Sequence, residues 1–278
     1  MGAFSFYGTI IDKPSIIFNH IKNNIMIKYL VAFFIVFSNL LYSQTKTIHV
    51  FVALCDNIHQ GIVPVPELIG NGKDTKNNLY WGAGYGVKNF FKNKTSDWIL
   101  ISNIKSNNPI ILERLLFKHA TKDIYLLADA YDGEQIQTCI EDFLKSSNGQ
   151  NIINIKHENL NLKFGGSADL ITYSGHDGLM EFSVDIKYKE TPNKKHDVII
   201  LACYSKEFFK YEIEESKANP ILWTTHLMAP EAYTLKSAID GWILNETGAQ
   251  IEERAAQTYN KYQKCGIKGA RNLFTTGF

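Results

Sequence analysis

Four cysteines in 278 residues are too few for a disulfide framework to organise a chain of this length. Cys55, Cys139, Cys203 and Cys265 are equally compatible with one bridge or with a free, functional thiol, and their spacing does not pair them. The chain also lacks an excess of either charge, with 29 Lys and Arg against 28 Asp and Glu. Without a basic stripe there is no electrostatic footprint for nucleic acid, so no nucleic-acid partner is expected. Several compact chemical signatures are missing as well. There is no HExxH or CxxC for a metal, no GxxxxGK[ST] for a nucleotide phosphate, and no GxSxG elbow for a serine hydrolase. His176, Asp177, His196, Asp197 and His226 have no ligand spacing, so neither a metal nor a cofactor is expected. No internal repeat or low-complexity tract interrupts the chain.

A long membrane span is absent too. The longest apolar run, Tyr29 to Leu41, follows Lys28 and ends near small Ser43. That three-part pattern predicts a secretory signal peptide over residues 26–43, cleaved after Ser43, the alternative being an amino-terminal membrane anchor. Residues 1–25 fit poorly ahead of such a segment and read as a non-native upstream extension. The mature chain is then 44–278, one domain, exported to the periplasm or beyond the cell, with no stable membrane insertion once the signal is removed. Removing residues 1–43 takes away Lys13, Lys22 and Lys28 against Asp12, which shifts the net charge from +1 to −1.

What is present is a succession of short apolar runs: Ile48 to Leu54, Ile124 to Ala128, Asp169 to Tyr173, Asp197 to Ala202 and Pro220 to Thr225. None alternates cleanly, so each reads as a strand covered on both faces. Asp97 to Ile101 is ambiguous. Helical periodicity falls between them, in "EQIQTCIEDFLKSSNG", "APEAYTLKSAIDGWI" and "AQIEERAAQTYNKYQKCG". A further helix is expected in "PIILERLLFKHA", with Asn108 as cap and Pro109 at its first position. Alternating strands and helices predict an α/β fold, a mainly parallel sheet sandwiched between helices. The Gly- and Asn-rich stretch Gly70 to Gly86 reads as a long surface loop near the end of the first strand, its Tyr80, Trp81 and Tyr85 lining a cleft or half-buried.

In such sheets ligands bind at the carboxyl ends of the strands. That edge is expected to gather Cys55, Asp56, Asp129, Ser174 to His176, Cys203 and His226. Two apolar runs end there on reactive side chains: "ITYSGHDG" on His176 and "VIILACYSKE" on Cys203, 27 residues later. An imidazole that takes or gives the proton of a thiol turns it into an effective nucleophile.

This pairing resembles the caspase–haemoglobinase fold of cysteine peptidases, which includes caspases, metacaspases, legumains and gingipains. Their shared motif is an apolar strand ending in His-Gly and a second ending in Ala-Cys or a similar pair. The resemblance covers about Ile48 to Trp242 as strand order and a dozen residues as motif. It implies a caspase-like three-layer architecture and a peptide or protein substrate. Cys203 would be the nucleophile and His176 the general acid and base, with the backbone N–H groups of Cys203 and Gly178 holding the oxyanion. It also implies substrate contacts from the loop after the first strand, where Asp56 either floors a pocket for Arg or Lys or simply makes a turn. Ser174 and Asp177 would lie beside the substrate. One departure stands out: the family has Gly directly after His, whereas this chain has Asp177 and then Gly178. Either that side chain obstructs the substrate or the loop is re-registered so that Gly178 serves. The non-enzymatic alternative is an inactive scaffold of the same shape that binds a peptide, glycan or protein partner. A weaker one is a metal-dependent hydrolase.

Overall fold

In the computed structural model, strand β1 (Lys46–Ala53) buries side chains in both directions. Ile48, Val50 and Val52 enter one apolar core, while Phe51 and Ala53 enter another. This two-sided burial explains why the run lacks polar alternation. The structure describes residues 1–2, 45–190, 192 and 194–278, so the expected signal peptide and nearly all of the upstream extension lie outside the described residues. Residues Thr45–Phe278 form one unit.

After β1 come α1 (Val87–Asn93), β2 (Trp98–Asn103), β3 (Ile111–His119), β4 (Ile124–Tyr131) and α2 (Ile136–Ser147). A hairpin of β5 (Ile153–His157) and β6 (Leu160–Phe164) leads to β7 (Leu170–Ser174), β8 (Asp197–Leu201), α3 (Ser205–Ser216) and β9 (Asn219–Thr224). The chain ends with α4 (Ala232–Ile243), α5 (Gly248–Gln263), α6 (Ile267–Leu273) and β10 (Phe274–Thr275). Eight strands make the main sheet in the order β10-β9-β8-β7-β1-β4-β3-β2. Neighbours from β4 through β9 pair in parallel, whereas β2, β3 and β10 are antiparallel additions at the edges. Helices α1, α4, α5 and α6 pack on one face, and α2 and α3 on the other. The fold is α/β with a mostly parallel sheet between helical layers. Chain order reverses between β1 and β7, so the topological switch point lies beside the end of β7. Among the described residues no helix is long and apolar enough to cross a membrane.

The helix expected from "PIILERLLFKHA" is strand β3. Its nine residues fill the open edge of β4 antiparallel, sending Leu115 and Phe117 to one core and Leu116 to the opposite face. An unpaired β4 edge would leave a row of backbone groups unsatisfied, and pairing overrides the local helical pattern. The ambiguous run at Asp97 is β2, which pairs with β3 in turn.

Asp129 likewise departs from expectation. It lies inside β4 opposite Arg114 of β3 and is fully buried rather than standing at the strand end. Arg114 Nε and Nη2 donate to its two oxygens at 2.7 and 2.6 Å. His49 Nε2–H donates to it at 3.1 Å, while His49 Nδ1 accepts the N–H of Gly165. Burial pushes the Asp129 carboxyl up, but the hydrogen bonds from Arg114 and His49 outweigh it and hold the group ionised. Burial keeps His49 below its ordinary value, hence neutral. Asp129→Asn would strand the Arg114 guanidinium without a counter-charge. The expected loss is about 3–5 kcal/mol in urea unfolding; a loss below about 1 kcal/mol, the range of an exposed pair, would contradict this reading.

Candidate active site

Strands β7 and β8 pair in register, with Ser174 opposite Leu201. His176 and Cys203 each follow two residues beyond that last pair, and the hydrogen bond from Gly175 N–H to Leu201 O at 3.1 Å carries the alignment past the strand ends. Neighbouring strands are about 4.8 Å apart, so the two residues leave the sheet side by side at one level.

Cys203 sits on a sharp strand-to-helix elbow. Tyr204, immediately after it, is left-handed at φ 49° and ψ 30°, and α3 starts at Ser205. That backbone is costly for a bulky residue, about 1–2 kcal/mol, and something must hold it. A buried knot does so: Ser205 Oγ donates to Ile200 O and accepts from Thr224 N–H, each at 2.9 Å, and Thr224 Oγ1 donates to Ala202 O. The Cys203 thiol is half-buried and turned towards the loop after β9. It lies 3.6 Å from Met228 O and 3.5 Å from Met228 N. Burial, and secondarily the nearby Asp177 carboxyl, raise its pKa, so the resting group is a thiol rather than a thiolate.

His176 is 8% exposed. Its carbonyl accepts the Tyr173 hydroxyl at 2.6 Å, and its Nε2–H donates to Glu181 Oε1. The same Glu181 oxygen accepts Gly61 N–H at 2.7 Å, which ties the loop after β1 to the imidazole. Among the described residues no hydrogen bond joins His176 to Cys203. In the resting arrangement each keeps its own partner, the thiol at Met228 and the ring at Glu181.

The other expected site residues have defined positions. Asp177 is fully buried and turned inward, capping the 3-10 turn Gly178–Met180 through Oδ1, which accepts Leu179 N–H at 3.0 Å. It does not project into solvent where a substrate would arrive. Gly178 lies under the Phe182 ring, which a Cβ would meet at 2.5 Å. Ser174 Oγ donates to Pro230 O at 3.2 Å, so with the Met228 contact the 225–231 loop straps the ends of both strands. Asp56 accepts Ile58 N–H at 2.8 Å on one oxygen and meets His59 Nδ1 at 2.9 Å on the other. It makes a turn, the second of the two roles weighed from the sequence. Cys55 is fully buried, its thiol pushed up by burial to about 11, and all four cysteines are free. His226 follows β9, and its carbonyl accepts Tyr204 N–H. In the Gly- and Asn-rich loop Trp81 and Tyr80 are buried, while Tyr85 stays partly exposed against Tyr233 and Tyr262.

Sequence reasoning missed Glu181 and the 225–231 loop. Glu181 carries a faint signal, an acidic residue one short turn beyond the His; the loop meets Cys203 and Ser174 mainly through backbone atoms, which leave no trace in residue type. No family model matches the chain, and no curated protein or solved structure matches it either.

Asp177 yields a pH test. Burial, with Glu181 adding a smaller push, raises its carboxyl from an ordinary 3.8 to about 7, and Oδ2 has no partner among the described residues. Between those values the unfolded chain has lost a proton that the native chain keeps, so this group lowers stability as pH rises across the window. Asp177→Asn abolishes the penalty. Relative to the wild type, the variant should gain up to about 4 kcal/mol in urea unfolding on going from about pH 4 to about pH 8. An unchanged difference between the two pH values would refute the buried carboxyl.

Proposed function

We propose that this chain is an exported cysteine endopeptidase with Cys203 as nucleophile and His176 as general acid and base. The observation that supports it most is the alignment of the two residues at one level beyond paired parallel strands. The elbow at Tyr204 adds to it, because a strained turn held by a buried knot is where function justifies the cost. Export rests on the pattern of residues 26–43, and the peptide substrate on the resemblance of the two motifs.

In the reaction, the Cys203 thiol gives its proton to His176 as the sulfur bonds to the peptide carbonyl carbon. The carbonyl oxygen becomes an oxyanion, and the backbone N–H groups of Cys203 and Gly178 are the candidate donors. His176 then protonates the nitrogen as the C–N bond breaks, leaving a thioester and a free amine. Water, losing a proton to His176, attacks the thioester; the acid departs and the thiol is restored. Because the resting sulfur is protonated, His176 acts during attack rather than by maintaining an ion pair. Glu181, bonded to the imidazole, positions the ring.

A second reading is an inactive scaffold that binds a peptide without cleaving it. It is favoured by the Met228 and Glu181 contacts, which give thiol and imidazole separate partners. The deciding experiment is cleavage of a peptide library together with labelling by a peptidyl acyloxymethyl ketone. The peptidase reading expects Cys203 to be labelled ahead of exposed Cys265, labelling to fail in His176→Ala, and Cys203→Ala to lose about 1,000-fold or more in turnover. Undiminished cleavage by Cys203→Ala overturns the dyad, and binding without turnover selects the scaffold.

A further inference from the structure

A cleft of about 930 Å³ opens on the α2 face of the sheet, between the 102–108 loop and the β5–β6 hairpin. Neither His176 nor Cys203 lines it. Its size is that of a small-molecule site. Phe51, Ile111 and Tyr131 give it an apolar and aromatic floor, and all three are buried to within a tenth of their surface.

One polar group stands out against that floor. Arg114 lines the cleft with its side chain 10% exposed. Asp129 occupies the guanidinium edge made by Nε and Nη2. A guanidinium has five N–H donors, so the end-on fork of Nη1 and the second Nη2 proton remains. Among the described residues Nη1 has no hydrogen-bond partner. Asp129 grips the guanidinium and His49 grips Asp129, so the position of the fork is fixed. Burying a charged pair and a histidine together is expensive, and an apolar trio of the same volume would usually be at least as stable. The arrangement therefore has the form of a preorganised fork, a donor set fixed in place before the ligand arrives.

The surroundings narrow the chemistry. Lys105 and Lys156 add positive charge at the rim, favouring an anion. Asp142 on the α2 wall opposes a second negative charge: it accepts from the Tyr131 hydroxyl at 3.0 Å and from Asn151 Nδ2 at 2.9 Å. Ser146, also lining the cleft, has a buried hydroxyl with no partner among the described residues. We infer that this cleft binds a small organic monocarboxylate, its carboxylate on the free end of Arg114 and its apolar body on Phe51, Ile111 and Tyr131. A dianionic phosphate fits less well, with one fixed cation and Asp142 beside it.

The test compares 3-phenylpropanoate with its neutral amide, 3-phenylpropanamide, by calorimetric titration of the full chain. Two variants probe the site. Arg114→Lys keeps a cation for Asp129 but removes the fork. Asn154→Trp places an indole in the cleft wall from an exposed position of β5, and so leaves the buried network untouched. The carboxylate should bind one to one, at least about tenfold more tightly than the amide, and weaken at least about tenfold in each variant that keeps a wild-type melting transition. If Arg114→Lys does not fold, the Asn154→Trp result decides. The inference is overturned if acid and amide bind alike, if Asn154→Trp binds like the wild type, or if the acid does not saturate by a few millimolar. Cys203→Ala should bind the carboxylate as the wild type does, because this site is independent of the proposed dyad; weakened binding by that variant overturns the independence.

Discussion

The parallel ladder between β7 and β8 is the constraint on which the candidate site depends. A sheet fixes its neighbours by backbone hydrogen bonds, so once Ser174 faces Leu201 the residues that follow have little freedom in height. A slip of β8 by one residue would turn Ile200 out of its core and set Ile199 and Leu201 against the wrong helices. The register that satisfies both cores is the register that levels His176 with Cys203. Packing energy spread over the whole sheet thus determines a local geometry that neither residue could hold alone.

The same economy governs the charges. Among the described residues, buried ionisable groups are tied in or pushed towards their neutral form. Asp129 remains an anion because Arg114 and His49 donate to it. Among the described residues no cation pairs with Asp177 or Cys203, and burial raises both pKa values. The candidate site therefore rests with a protonated thiol, a carboxyl of raised pKa and an imidazole bound to Glu181. Under the proposed peptidase reading, reactivity would come from rearrangement when a substrate displaces the contacts at Met228, not from a standing thiolate.

Much of this fold was readable from apolar runs alone. The five expected strands form the five parallel members of the sheet, since strands buried on both faces are dense in Ile, Leu, Val and Tyr. Helices α2, α4 and α5 were readable from the spacing of their apolar residues. Strand β3 was not, because Pro109 after Asn108 imitates a helix start while the vacant edge of β4, a tertiary fact, decides the outcome. Asp129 was misplaced for a related reason: an apolar run ending at Ala128 hides three further strand residues when one of them is a charge with buried partners. The positions of Cys203 and His176 beyond their strands were legible because Gly175 and Ala202 close the runs cleanly. The strap over them was not, since its contacts run through backbone atoms.

The proposed dyad needs positions 176 and 203 to lie close together, and cross-linking tests that directly without any assay of activity. In a Cys265→Ser background, His176→Cys is treated with a mild oxidant or a two-carbon bis-methanethiosulfonate, and the peptides are mapped by mass spectrometry. A direct disulfide needs Cα atoms about 5–7 Å apart, and the short reagent extends that reach modestly. Alignment beyond paired strands predicts an intramolecular bridge between positions 176 and 203. Two separately capped thiols at these positions, in a protein that still unfolds cooperatively, would contradict it.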